Sequence, residues 1–162
     1  MKKSLLIVFS FLFFFTNAEV LKGGVVSEYI PKGFFGSWGV ISKLKSSTNP
    51  TKFNYESKDI WMLSGSGNIL ILQNLESGAY SEITIKEKSI EGKTLKFDRQ
   101  KTIRTKTGKE IHKETVEFIL SGNFFTGYDN FKVESYDRDN SLIKEYSATY
   151  NIEGVRISGS AN

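Results

Sequence analysis

The chain of 162 residues has no cysteine, a single histidine and only two prolines. Without cysteine there is no disulfide, no thiolate metal site and no thiol nucleophile, so a folded domain must rely on core packing and backbone pairing. One histidine, His112, excludes a histidine-based metal cluster within one chain. There is no Asn-x-Ser/Thr acceptor, because Asn49 is followed by Pro50, and nothing asks for a glycosylating secretory route. Charge of one sign is lacking too. The chain has 22 Lys and Arg against 18 Asp and Glu, and the signs alternate, as in Lys86-Glu87-Lys88. No basic stripe is present, so nucleic acid is not an expected partner. No dozen residues sustain a helical apolar period after the N-terminus.

The N-terminus holds what the rest lacks, a long apolar run. Met1, Lys2 and Lys3 form a positive end, Leu5 to Phe15 is apolar apart from Ser10, and Thr16-Asn17-Ala18 precedes Glu19. This is the layout of a secretory signal, and the run falls short of the roughly 20 apolar residues of a spanning helix. The expectation is a signal over residues 1–18 cleaved after Ala18, a lead-in over residues 19–35, and one domain over residues 36–162. The protein is expected to be exported, periplasmic or extracellular, with no integral membrane span once the signal is gone.

From residue 36 onward the pattern has period two, with turn residues at near-regular spacing. The predicted strands are 36–45, 58–63, 68–75, 79–90, 94–106, 110–120, 124–136 and 141–152, with an extra piece at 25–30. Ser46 to Ser57 reads as a loop, and Ser64-Gly65-Ser66-Gly67 as a hairpin turn, since glycine supplies the positive φ that tight connections require. Trp38, Val40, Ser42 and Leu44 share one face of the first strand, and Leu142, Tyr146, Ala148, Tyr150 and Ile152 one face of the last. Gly127 to Asn130 is read as a bulge or an extra turn, and Gly154 as a bend. Short links between neighbours imply an antiparallel meander, and eight strands are enough to close it. The fold expected is all-β, an antiparallel up-and-down β-barrel of about eight strands, with a β-sandwich as the alternative.

Gly36-Ser37-Trp38, at the start of the first strand, resembles the Gly-x-Trp signature of the lipocalin and wider calycin group. The resemblance implies a barrel with a tryptophan closing one end and a last-strand arginine, here Arg156, packed across its ring. A guanidinium on an indole face gains roughly 0.5 to 2 kcal/mol while its hydrogens still reach carbonyls. The diagnostic residues are Gly36, Trp38 and Arg156. A Thr-Asp-Tyr-like motif, a disulfide and a C-terminal helix are absent, so the chain looks like a lipocalin-like bacterial exported protein outside the kernel group.

Few residues invite chemistry. Glu110, His112 and Glu114 lie at period two beside Lys109 and Lys113, a spacing that suits acid/base work but also a solvated strand face, which is the expectation. Glu145, Glu153, Asp129 and Asp137 are expected at the surface. No nucleophile elbow or phosphate loop occurs, so no catalytic residue, metal or cofactor is assigned and the protein is read as a non-enzyme. The aromatic residues Trp61, Phe97, Phe118, Tyr146 and Tyr150 are the candidate lining of a barrel interior. They predict a binding protein for a small hydrophobic ligand. The rival reading is an envelope or surface domain that acts through its outer face and loops.

Overall fold

Residues two apart on an extended chain share a face, and an apolar face turns toward a common interior. The computed structural model describes residues 24–25, 32–66, 69–85 and 93–159. The strands are β1 (Gly24–Val25), β2 (Gly36–Ser47), β3 (Glu56–Ser66), β4 (Ile69–Asn74), β5 (Tyr80–Ile85), β6 (Thr94–Thr105), β7 (Gly108–Ser121), β8 (Phe124–Asp137) and β9 (Leu142–Ser158). Short 3-10 turns occupy Lys32–Phe34 and Pro50–Lys52. From β2 to β5 and from β6 to β9 each strand pairs antiparallel with the next. β2 pairs antiparallel with β9, and β1 sits in the seam between β5 and β6, parallel to the first and antiparallel to the second. The barrel closes in the order β1-β5-β4-β3-β2-β9-β8-β7-β6. The all-β, antiparallel up-and-down barrel read from the sequence is the fold, the sandwich is not, and the topology is compatible with a lipocalin-like fold.

Differences from the sequence reading are local. The signal at 1–18 and most of the extra piece at 25–30 lie outside the described residues. The long loop is shorter than expected: Asn49 caps the Pro50–Lys52 turn by accepting from Thr51 N, and β3 has begun by Glu56. Gly127 is neither bulge nor turn, since β8 pairs without interruption from Phe124 to Ser135, and the register shifts only between Ser135 and Tyr136. β9 likewise passes Gly154 and runs on to Ser158. Both glycines sit where a Cβ would collide, with the β7 backbone at Glu117 O and Phe118 Cα for Gly127 and with the Phe125 ring for Gly154. The first lets two strands approach closely, and the second makes room for a ring.

Aromatic rings fill one end of the barrel. Phe34, Trp38, Phe97, Phe118 and Phe125 are fully buried with Leu63, Leu70, Ile83, Leu95 and Ile152. Phe118 stacks on Phe125 at 4.7 Å between centroids, and Phe125 meets Trp38 at 5.0 Å. Each such side chain contributes about 1.5 to 3 kcal/mol by leaving water. The lead-in turn caps this end. Trp38 Nε1 donates to Phe34 O at 2.8 Å, and the Arg156 guanidinium lies 4.1 Å from the centre of the Trp38 ring. Arg156 also donates to Phe35 O at 2.9 Å, to Gly33 O, and to Asn123 Oδ1 at 3.1 Å. Gly36 enters β2 with φ of 124°, and a Cβ there would collide with Ser158 O. Only glycine fits that junction of first and last strand.

Candidate functional site: a polar cavity in the open half

The inward positions continue past the apolar end, and there they change character. Along β7 the parity of Phe118 and Val116 carries on to Glu114, His112 and Glu110; along β6 that of Leu95 and Phe97 carries on to Arg99 and Lys101; along β8 that of Phe125 carries on to Asp129, Phe131 and Val133. These side chains surround a cavity of about 370 Å³, within the range of small-molecule sites. Trp61 and Leu72 line it beside Tyr146 and Tyr150, and Lys52, Phe53, Asn54 and Ser77 from the loops edge its mouth.

A buried ion pair organises the wall. Arg99 holds Glu114 in a two-pronged grip, Nη2 donating to Oε1 at 2.6 Å and Nε to Oε2, while Nη1 reaches Ser81 Oγ at 3.4 Å. Burial alone would push the Glu114 carboxyl up, but the charge and hydrogen bonds of Arg99, with a hydrogen bond from Asp129, hold it below the usual carboxylate range. For Arg99 burial works downward, yet Glu114, Asp129 and Asp59 outweigh it and raise its pKa. Asp129 is driven the other way. Burial, the charge of Glu114 and its hydrogen bond to Glu114 lift the Asp129 carboxyl well above its ordinary value, and Arg99 offsets only part of this. Of the two carboxyls, Asp129 is therefore the one that holds its proton to higher pH. Its Oδ1 is buried and receives no hydrogen bond. Across the cavity, Asp59 accepts from Asn74 Nδ2 at 2.8 Å and from Ser57 Oγ at 3.4 Å. His112 Nε2 lies 3.4 Å from Glu110 Oε2, and its ring meets Phe131 edge-on at 5.6 Å. Burial and the charge of Asp129 both raise the pKa of the Tyr150 hydroxyl.

The five aromatic candidates divide between the two halves. Trp61, Tyr146 and Tyr150 line the cavity, whereas Phe97 and Phe118 are packed in the apolar end and touch none of it. Gly36, Trp38 and Arg156 come together at the capped end, away from the cavity. Two expectations are corrected. Glu110, His112 and Glu114 do not form a solvated face; they point into the barrel, with His112 only 8% exposed. Asp129 is not a surface charge either, although Glu145 and Glu153 are exposed. Arg99, Asp59 and Asn74 were not singled out at all. The signal that finds them is parity: counting by twos from a strand's buried apolar residue, Phe97 for Arg99, Trp61 for Asp59 and Leu72 for Asn74, predicts which polar residues share its side.

Among the described residues no three His, Asp or Glu side chains are grouped to hold a metal ion, and no helix is long and apolar enough to cross a membrane. No family model matches the chain, and no curated protein matches it, so the functional reading is carried by this geometry.

Proposed function

We propose that this is an exported, non-enzymatic binding protein, a lipocalin-like member of the calycin group from a bacterium, that holds a small and largely apolar ligand in the open half of its barrel. The observation that carries the reading is the 370 Å³ cavity with Trp61, Leu72, Phe131, Tyr146 and Tyr150 on its walls. Export to the periplasm or exterior rests on the signal-like residues 1–18. The outer wall carries charged pairs such as Lys96–Glu117 at 3.2 Å and Lys132–Glu145 at 2.9 Å, which suit water. A binding role fits the wall better than acid/base catalysis, since Glu114, the ionised member of the carboxyl pair, is occupied by Arg99.

Titration with N-phenyl-1-naphthylamine, an uncharged fluorescent aromatic, tests this. One saturable site per chain with quenching of Trp61 is expected, and absence of saturable binding rejects the reading. The rival, a domain acting through its outer face, is favoured by one observation. Ile119, Phe124, Val155 and Ile157 are each at least half exposed near the capped end, and Phe124 pairs with Val155. Phe124→Ser with Val155→Ser would weaken function in that case and leave it intact in the first.

A further inference from the structure

We infer that the cavity selects organic cations: ligands that carry an ammonium group on an aromatic or aliphatic body. This rests on the binding reading above and specifies its ligand. The deep wall offers more acceptors than donors. Arg99, a cation set into that wall, already spends two of its nitrogens on Glu114 and turns a third toward Ser81. A ligand carboxylate therefore meets a guanidinium that is already engaged. Three carboxyls, on Asp59, Glu114 and Asp129, act on that single guanidinium, so carboxyls outnumber the cation they surround.

A second observation points to a donor. Asp129 Oδ1 is buried on the cavity wall and receives no hydrogen bond, so a ligand N–H is the partner it lacks. The charges nearer the mouth, Lys52, Lys101 and Glu110, are of mixed sign and set no opposing bias of comparable depth. Lys52 already lies 6.0 Å from the centre of the Tyr146 ring, which is the kind of contact a ligand cation would make deeper in. There Trp61, Phe131 and Tyr150 line the cavity. A cation held by aromatic faces and a fixed carboxylate gains about 0.5 to 2 kcal/mol from each face, which a neutral ligand of the same shape does not.

Three ligands of nearly equal size separate the chemistries: 2-phenylethylammonium, 2-phenylethanol and phenylacetate, each titrated against Trp61 emission in the folded protein. The second tryptophan, Trp38, is sealed in the capped end and stays silent. The ammonium is expected to bind about tenfold or more tightly than the alcohol, with phenylacetate weakest. Equal affinity for ammonium and alcohol, or tighter binding of phenylacetate, overturns the inference and leaves the binding reading standing. So does binding of N-phenyl-1-naphthylamine with none of the three. If neither that probe nor any of the three binds, both readings fall. Asp59→Asn should lower the ratio of ammonium to alcohol affinity at least severalfold; an undiminished ratio in that folded variant also overturns the inference.

Discussion

At the capped end β2, β6, β7 and β8 turn Trp38, Phe97, Phe118 and Phe125 inward; two or four residues further along the same strands, the inward positions hold Ser42, Arg99, Glu114 and Asp129. Backbone geometry and strand order are the same in both halves. What differs is how each is held. The apolar half gains from area removed from water and from ring packing, and it has no room left. The polar half contains charges whose removal from water offsets much of their mutual attraction, so it contributes little to stability and is free to be specific.

The largest expected effects test that contrast directly. Trp38→Ala should cost about 3 to 5 kcal/mol, because a cavity opens beneath Phe125 while Phe34 O and Arg156 lose a partner. Glu114→Leu should cost a similar amount, about 3 to 5 kcal/mol, for the opposite reason that it leaves Arg99 buried and unpaired. Adding Arg99→Met to the second variant should restore stability to the wild-type level or above it, whereas no second truncation rescues Trp38→Ala. Urea unfolding of the four proteins checks this, and a double variant as unstable as Glu114→Leu alone would erase the distinction between the halves.

Smaller effects sharpen it. Arg156→Ala should cost on the order of 1 to 3 kcal/mol through lost packing and unpaired carbonyls at Gly33 and Phe35. A double-mutant cycle with Trp38→Ala should show a coupling of at least about 0.5 kcal/mol, and strict additivity would mean that the cap is not a unit. Asp129→Asn should change the pH profile more than the midpoint. Because the folded-state pKa of Asp129 is raised, the folded protein keeps a proton that the unfolded chain releases above about pH 3.9. Wild-type stability then falls as pH rises from there toward the folded pKa, and the variant should lack that decline. Identical profiles between pH 4 and 8 would contradict the upward shift at Asp129. Least of all, Glu134→Gln should reduce acid sensitivity. Lys113, then Tyr136 and Lys132, hold the Glu134 carboxyl at about 2 on the outer wall, so its stabilisation is lost as pH falls from its ordinary range through that value.

The strands were legible because alternation is a local rule, but glycine was a less faithful marker of reversal: Ser64, Gly65 and Ser66, read as part of a turn, pair with Ile71, Leu70 and Ile69, and Gly127 lies inside β8. The partnership of Trp38 with Arg156 was legible as well, since parity on β2 and β9 turns both residues inward. The polar wall was not. In a strand such as 109–114 both faces are polar, so alternation shows no contrast and Glu114 looks like any surface glutamate. Only continuity with Val116 and Phe118 shows which way it points. The seam was illegible for another reason: a strand of two residues, Gly24–Val25, carries no period.

The pairing of β2 with β9 that closes the wall also sets how the protein reaches its fold. Thr48 Oγ1 accepts from Ser147 N across 99 positions of sequence, while most other pairings join neighbours through a short turn. A chain with such contacts must give up much of its freedom before the last partner rewards it, which places folding in the millisecond-to-second range of strand-rich barrels rather than the microseconds of helical bundles. During synthesis β2 emerges early and can pair at once with β3, but its other side has no mate until β9 has been made. For that interval the nascent protein is at its most vulnerable to joining another copy of itself, and whatever shields β2 during that wait decides how much of it arrives folded.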